Sequence, residues 1–237
     1  MVDHSANIAR TAILQSIRQH LAESVVHNTG DKPSTLNSGT NSEDEKQSVV
    51  IESGVKTFCH ELESVGGHCI VVKGETEAGQ ALNRIIAGLK SSLQRSPKIA
   101  LSDAPLLSRL ARAVEVDGIT TSPCAHDLFA YDVGITTAQA AIAETGTLVL
   151  ESDQERNRLV SLLPPVHIAV VNAADVCATL GEALRLVRRD GSEMSRAITF
   201  ITGPSRTADI ELTLTIGVHG PKELYVIVAE GMPMTLL

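Results

Sequence analysis

Apolar residues along the chain follow two spacings, and the two patterns alternate. Apolar side chains every three or four residues predict helices over residues 5–23, 49–65, 75–93, 104–114 and 175–187. Short, mostly apolar runs predict buried strands over residues 69–72, 98–101, 166–171, 198–202 and 224–229. Because strands that alternate with helices are typical of βαβ units, the pattern predicts an α/β fold with a mostly parallel sheet.

Two stretches depart from this alternation. Residues 28–48 are polar, without apolar periodicity, and predict a linker or a long surface loop. We therefore expect an N-terminal helix and polar linker over residues 1–47 and the main α/β domain over residues 48–237. Residues 142–150 predict a hairpin that turns at Thr145 and Gly146, which would be an antiparallel element within the parallel pattern.

Composition narrows the possible partners. The 237 residues are 43% hydrophobic and 20% charged, as in ordinary globular proteins. Only 2% are aromatic, so the core has to consist of Ala, Val, Ile and Leu. The formal net charge of −8 repels polyanions, and so few aromatic residues make no platform for stacking bases. We therefore expect no nucleic-acid partner.

The sequence also bears on compartment and redox state. No apolar run approaches the roughly 20 residues that span a bilayer, and no basic segment leads into an apolar one at the N-terminus, so we expect neither a membrane span nor a signal peptide. The four cysteines show no CxxC spacing. We interpret them as reduced thiols of a cytoplasmic protein.

Several short motifs are similar to known catalytic or metal-binding motifs but do not predict such a site. Residues 60–64 begin like a zinc-binding HExxH helix, but Ser64 stands where the second histidine ligand belongs. The Ser53–Lys56 spacing of a Ser-Lys dyad has no companion motif. Residues 124–127 combine Cys, His and Asp, and the favoured interpretation is a turn after Pro123 rather than a metal or nucleophile site. With no glycine-rich phosphate loop either, we predict no metal and no bound flavin, nicotinamide or iron–sulfur cofactor.

Four segments carry polar chemistry at predicted strand ends and are expected to frame one crevice: residues 132–136, 144–147, 202–211 and 217–221. Arg206 offers a planar fork for a carboxylate or phosphate, and it lies in a loop directly after an apolar strand. Glu144 is either a nucleophile, base or acceptor, or simply a solvated residue of the hairpin turn. His219 lies between two glycines as a candidate proton shuttle, and His167 could meet the same crevice.

The predicted site therefore has two catalytic candidates, Glu144 and His219. Its predicted ligand-binding residues are Asp132, Thr145, Gly146, Thr147, Gly203, Ser205, Arg206, Thr207, Asp209, Glu211 and Gly220.

Five motifs together resemble one known family: DVGIT, AETGTLVL, LLPPVHI, TGPSRTADIE and GVHGPKELYVIV. Over about residues 100–232 the chain resembles the LUD domain of the lactate-utilisation protein C family. The resemblance implies a Rossmann-like sheet similar to that of the sugar-phosphate isomerase and CoA-transferase group. It also implies a role in bacterial oxidation of L-lactate to pyruvate, beside partner proteins that carry iron–sulfur clusters.

Three functions remain open from the sequence. The first is an accessory component of a lactate-oxidising system, which binds a small carboxylate or a partner surface while iron–sulfur proteins hold the redox centres. The second is a free-standing enzyme that acts on an acyl or phosphorylated small molecule, with Glu144 as nucleophile or base. The third is a binding module that senses lactate.

Overall fold

The computed structural model describes residues 42–112, 118–152, 157–187, 195–208, 214–216 and 220–232. Four α-helices lie in these ranges: α1 (Ser42–Ser64), α2 (Gly74–Leu93), α3 (Pro105–Ala111) and α4 (Leu180–Val187). None of these helices is long and apolar enough to cross a membrane. The helix predicted over residues 5–23 lies outside the described residues.

Twelve strands lie in the same ranges. They are β1 (His68–Lys73), β2 (Ile99–Leu101), β3 (Ile119–Thr121), β4 (Val133–Thr137), β5 (Ala140–Ile142), β6 (Thr147–Glu151), β7 (Val166–Asn172), β8 (Val176–Cys177), β9 (Ile198–Ile201), β10 (Arg206–Ala208), β11 (Leu214–Ile216) and β12 (Glu223–Glu230). Short 3-10 turns lie at Asp127–Ala130, Ala143–Thr145, Arg158–Ser161 and Ala173–Asp175.

The main sheet confirms the predicted fold class. Its six strands lie in the order β1-β12-β7-β4-β2-β3, and every neighbouring pair is parallel. The central strands are runs of branched apolar residues, because side chains on both faces of a parallel sheet are covered. Helices α2 and α3 cover one face with a core that includes Leu82, Ile86 and Leu107. Helix α1 covers the other face through Phe58 and Leu62.

A second sheet, in the order β8-β5-β6-β9, contains the predicted hairpin. Strands β5 and β6 are antiparallel, with Ile142 opposite Thr147. Gly146 in the turn has φ = +61°, and a Cβ atom there would lie 2.3 Å from the backbone nitrogen of Leu62. Glycine is therefore required at this position, since the hairpin turn contacts α1 directly. Strands β10 and β11 form a separate antiparallel pair.

Several elements differ from the prediction, among them β4, α1 and α4, and Arg206, expected in a loop, is the first residue of β10. Residues 133–137, expected to be part of a polar turn, form the fully buried strand β4. Helix α1 begins at Ser42, within the predicted linker, and not at Val49. Helix α4 begins at Leu180 and not at residue 175, because residues 173–175 form a 3-10 turn and residues 176–177 pair with β5.

The expectation of four reduced cysteines was wrong. Cys59 of α1 and Cys69 of β1 form a disulfide, with their Cα atoms 5.3 Å apart. The tight turn between helix and strand brings them together: the amide of Gly67 donates to the carbonyl of Leu62. Cys124 and Cys177 are not part of a disulfide. A ten-residue separation across a helix, a turn and a strand has no signature in the spacing of cysteines alone.

Candidate functional site

A cavity of about 260 Å³ lies where three loops meet beside the main sheet, and we call it the His167 cavity. It is lined by Ser161, Leu162, His167, Thr199, Phe200, Ile201, Thr202, Gly203, Pro204, Ser205, Gly220, Pro221 and Leu224. Two of the four segments singled out in the sequence, residues 202–211 and 217–221, therefore meet here through their described residues. His167, the weaker candidate, lies with them.

Backbone hydrogen bonds fix the loops around this cavity. The amide of Ser205 donates to the carbonyl of Pro221 over 2.8 Å, and the amide of Lys222 donates to the carbonyl of Pro165 over 2.7 Å. Gly134 of β4 lets the loop before β7 lie against the sheet, since a Cβ atom there would be 1.9 Å from the carbonyl oxygen of Val160. The small residues in these segments therefore serve close packing of the loops.

His167 is the titratable residue in the cavity wall. It is fully buried, and its Nε2 lies 2.8 Å from the hydroxyl of Thr136 on the neighbouring strand β4. Burial lowers the pKa of His167 to about 3, so the imidazole is neutral at physiological pH. Its Nδ1 atom is buried and has no hydrogen-bond partner among the residues that the structure describes. An unsatisfied buried polar atom costs free energy.

A chain of hydroxyl groups connects the hairpin turn to the same cavity. The hydroxyl of Thr145 lies 2.7 Å from that of Thr147, which in turn lies 2.7 Å from that of Thr202. Thr147 is only 5% exposed, whereas Thr145 and Thr202 are exposed. The hydroxyls of Thr145 and Thr147 therefore connect to Thr202, which lines the cavity. That Thr145 and Thr147 bind a ligand stays a prediction.

Arg206 follows Ser205 but does not line the cavity. Its guanidinium donates a short hydrogen bond to the carbonyl of Val65, at the turn between α1 and β1. Gly203, with φ = +80°, also packs against Val65, where a Cβ atom would lie 2.9 Å from the Val65 side chain. No residue in the described lining carries a formal charge at neutral pH, so an anion in the cavity would depend on neutral donors unless Arg206 turned toward it.

Glu144 lies elsewhere. Its carboxylate accepts a hydrogen bond of 3.0 Å from the amide of Leu180, the first residue of α4, and its own amide donates to the carbonyl of Ala178. A carboxylate at the amino end of a helix satisfies a free N–H group and interacts favourably with the helix dipole. The geometry therefore gives Glu144 a helix-capping contact and does not bring it to the His167 cavity.

Asp132 is also separate from the cavity lining. Its two carboxylate oxygens lie 2.7 and 2.8 Å from the guanidinium nitrogens of Arg95, and it accepts a further hydrogen bond from the amide of Lys98. Although partial burial opposes ionisation, these donors hold the pKa of Asp132 below its usual value. Asp132 thus anchors the segment before β4 to the segment before β2 through an internal ion pair. Its predicted contact with a ligand stays a prediction.

The remaining predicted residues cannot be placed in the site. Asp209, Glu211 and His219 lie outside the described residues, as does the side chain of Thr207. Conversely, the cavity includes Ser161, Thr199 and Phe200, which sequence reasoning missed. Of these three, only Phe200 stands out in the sequence, because it is one of three phenylalanines in the chain and lies on a predicted strand. In the structure it is 46% exposed.

The cavity also lies at an unexpected edge of the main sheet. His167 and Leu224 are the second residues of the parallel strands β7 and β12, so the cavity is near the amino ends of these strands. The sequence-based expectation followed the rule that open α/β sheets bind ligands outside the carboxyl ends. That rule concerns the main sheet, whereas the loop of residues 202–205 leaves β9, which belongs to the second sheet.

Fold and comparison together define the class of protein. A parallel six-stranded sheet with helices on both faces makes this an α/β domain. The model of the LUD domain family matches residues 55–229, which is most of the chain. The chain therefore belongs to the LUD domain family.

Individual relatives agree with this assignment. Lactate utilization protein C of Bacillus subtilis is 41% identical over 103 residues, and that of Bacillus licheniformis is 38% identical over 103 residues. Each match covers 42% of this chain and 43% of the relative, so the chain spans less than half the length of these relatives. An uncharacterized protein of Neisseria meningitidis is 33% identical over 153 residues, covering 65% of this chain and 64% of that protein.

One solved structure is similar in fold. It is a DUF162 family protein from Deinococcus radiodurans, with a TM-score of 0.53 and 21% sequence identity. The match covers 76% of this chain and 98% of that chain. At this identity the similarity concerns the fold.

Proposed function

We propose that this protein is a component of a bacterial lactate-utilisation system and that it binds a small carboxylate in the His167 cavity. The proposed role is supported by relatives named lactate utilization protein C, which are 38–41% identical over part of the chain. The observation that supports the binding site is the buried Nδ1 of His167, which has no partner in the described part of the chain and belongs to a residue of the cavity wall.

The size of the cavity favours a ligand of a few atoms. Sites for drug-sized ligands have volumes of about 300–1,000 Å³, and the His167 cavity, at about 260 Å³, is smaller. A three-carbon acid such as lactate falls in this size class. Its 2-hydroxyl group can either donate to or accept from the neutral Nδ1 of His167, according to which ring nitrogen carries the proton.

The carboxylate requires separate donors. Hydroxyl groups of Thr202 and Ser205 line the cavity, and Arg206 is the adjacent cation along the chain. The Arg206 guanidinium is exposed and bound to a neutral carbonyl, so a carboxylate competes with that carbonyl for it. Charge-assisted hydrogen bonds are stronger than neutral ones. We infer that Arg206 leaves Val65 and closes on the carboxylate when the ligand binds.

Electron transfer is assigned to partners in this proposal. Iron–sulfur clusters are held by sets of cysteine thiolates, and in this chain Cys59 and Cys69 are consumed by their disulfide. We propose that iron–sulfur proteins of the same system hold the redox centres and that this chain acts beside them as an accessory component. The alternative enzyme with Glu144 as nucleophile receives no support from the capping contact of that residue.

The binding step is tested by titrating the purified full chain with L-lactate, D-lactate and propionate in a calorimeter. We expect L-lactate to bind more tightly than propionate, which lacks the 2-hydroxyl. Arg206→Lys keeps the charge but loses the planar fork, and we expect it to weaken binding about tenfold or more. Arg112→Lys, at an exposed position remote from the cavity lining, is the matched control. Equal binding of all three acids would argue against the proposed contact with His167.

The biological role is tested by complementation of a deletion strain with lactate as carbon source. We expect wild type and Glu144→Gln to restore growth, and Arg206→Lys to restore it poorly. A sensing module would instead change expression of the lactate genes without being needed when those genes are driven from a constitutive promoter. Normal growth of the Arg206→Lys strain together with unchanged lactate binding would refute the site.

A further inference from the structure

A second and larger cavity lies at the opposite edge of the same strands. It has a volume of about 700 Å³ and lies beside the carboxyl ends of β1, β12 and β7, which are neighbours in the main sheet. We call it the Lys73 cleft. It is lined by Ile51, Glu52, Val55, Lys56, Val71, Lys73, Asn172, Ala173, Ala174, Glu230 and Gly231. This is the edge at which open parallel sheets usually bind ligands.

Opposite charges stand side by side at the strand ends. Lys73 and Glu230 are the last residues of β1 and β12 and are partners in the register of these two strands. Within the described part of the chain, no carboxylate lies within 4 Å of the Lys73 ammonium, whereas Lys56 on the rim is paired with Glu52 over 2.6 Å. The pKa of Glu52 is lowered mainly by Lys56 and also by the charge of Lys73, so Lys73 interacts with this carboxylate without a direct ion pair. Lys73 can therefore still contact a ligand anion, and Glu230 is an acceptor beside it.

The adjacent helix end does not provide the anion site. Helix α2 begins directly after Lys73, but the carboxylate of Glu77 accepts a hydrogen bond of 2.7 Å from the Lys73 amide, and Glu75 lies in the same first turn. These acidic groups already occupy the positive end of the helix dipole. An anion in the cleft would therefore be held by the Lys73 side chain. Asn172 can add a donor, since its Oδ1 accepts from the Ala174 amide and leaves the NH₂ group available.

The cleft also has two apolar walls. Val71 lies on the edge strand β1 and is 48% exposed. Ile51 and Val55 line the cleft from α1. Exposed apolar surface inside a cleft that carries a few polar groups is typical of small-molecule sites. A flat apolar ring placed between Val71 and Ile51 would cover both walls.

We propose that the Lys73 cleft binds a nucleotide, with a phosphate group on Lys73, sugar hydroxyls on Glu230, and the base against Val71 and Ile51. An acidic residue at the end of a parallel strand is a general acceptor for ribose hydroxyls. The volume of about 700 Å³ suits a ligand of this size and exceeds the need of a three-carbon acid. This site is separate from the His167 cavity, which lies at the amino ends of β7 and β12.

The test is a calorimetric titration of the full chain with ADP, ribose 5-phosphate and adenosine. We expect ADP to bind most tightly. Ribose 5-phosphate should be weaker because it lacks the base, and adenosine should be weaker because it lacks the phosphate. The proposal is wrong if ribose 5-phosphate or adenosine binds as tightly as ADP. It is also wrong if none of the three compounds binds at about 1 mM, a concentration on the order of cellular nucleotide levels.

Variants assign the contacts. Lys73→Gln and Glu230→Gln should each weaken ADP binding, about tenfold or more for the loss of the charged contact at Lys73. Lys90→Gln and Glu63→Gln remove the same charges at exposed positions outside the cleft and should leave ADP binding unchanged within about twofold. The midpoint of urea unfolding is measured for each variant, so that a folding defect is recognised. Equal effects of the cleft variants and their controls would overturn the assignment.

Discussion

The imidazole of His167 and the hydroxyl of Thr136 form a hydrogen bond of 2.8 Å between two central strands, and neither side chain is exposed to solvent. This pair joins β7 to β4 directly beside the candidate ligand cavity. Burial favours the uncharged imidazole, which is why the pKa of His167 is lowered to about 3. Burial of the imidazole therefore makes folding sensitive to acid.

The first prediction is a loss of stability below neutral pH. An unfolded histidine takes up a proton near pH 6.5, whereas His167 in the folded protein does so only near pH 3. The stability contribution is therefore complete above pH 6.5 and falls as pH drops toward 3, by at most about 1.4 kcal/mol per pH unit. Urea unfolding of wild type and His167→Gln between pH 4.5 and 7.5 measures this difference.

The control for this prediction is His126→Gln, because the side chain of His126 is 99% exposed. Its unfolding free energy should follow that of wild type across the same range. Wild type and His167→Gln curves that run parallel from pH 7.5 to 4.5 would contradict a neutral, buried His167.

Much of the fold was predictable because its strands and helices have clean patterns. The run at residues 166–171 is apolar apart from His167, the run at 224–229 is apolar throughout, and both are central strands of the parallel sheet. The strand at residues 133–137 was missed because Gly134, Thr136 and Thr137 make its sequence polar. Its burial depends on a long-range partner, His167, and on a loop that packs where Gly134 has no side chain. Neither contact is visible in a local pattern.

The second prediction concerns this glycine. Gly134→Ala places a methyl group 1.9 Å from the carbonyl oxygen of Val160, and backbone on both sides has to move. We expect a destabilisation of about 2–4 kcal/mol, measured by urea unfolding. Gly88→Ala is the matched control: Gly88 lies in α2, a Cβ atom there meets nothing within 4 Å, and alanine favours the helix. A Gly134→Ala protein as stable as wild type would disprove the close approach.

The candidate site was predictable only in part, for a physical reason. Polar residues after a strand are easily found, but which hydrogen bonds they form depends on neighbours far along the chain. Asp132 has the same local appearance as a ligand-binding acid, and its partner Arg95 lies 37 residues away. Gly203, Ser205 and Gly220 are turn residues near apolar strands and line the His167 cavity. That they bind a ligand stays a prediction.

The third prediction concerns this ion pair. Because the pKa of Asp132 is lowered in the folded state, its contribution is present above the unfolded pKa and is lost as pH falls through the folded pKa. Arg95 is half exposed, so Asp132→Asn should cost about 1–2 kcal/mol at pH 7. The cost should shrink below pH 3.8 as the wild-type carboxyl is protonated. Asp127→Asn, at an exposed residue, should be neutral, and a pH-independent cost for Asp132→Asn would speak against the charged contact.

The last prediction concerns the disulfide between Cys59 and Cys69. Of the four cysteines in the sequence, two are joined, so protein purified without reductant and then denatured should show two reactive thiols. Reduction should raise the number to four, as counted with a thiol reagent and by mass spectrometry after alkylation. In the native protein the exposed Cys124 should react first, because Cys177 is partly covered.

Closing a loop of about ten residues stabilises the fold by roughly 2–3 kcal/mol, so Cys69→Ser should lower the unfolding free energy by that amount. Cys124→Ser removes one thiol without touching the bridge and should leave stability unchanged. Four reactive thiols before reduction, together with equal stability of Cys69→Ser and wild type, would contradict the disulfide. Both cysteines would then be reduced, as their spacing alone predicted.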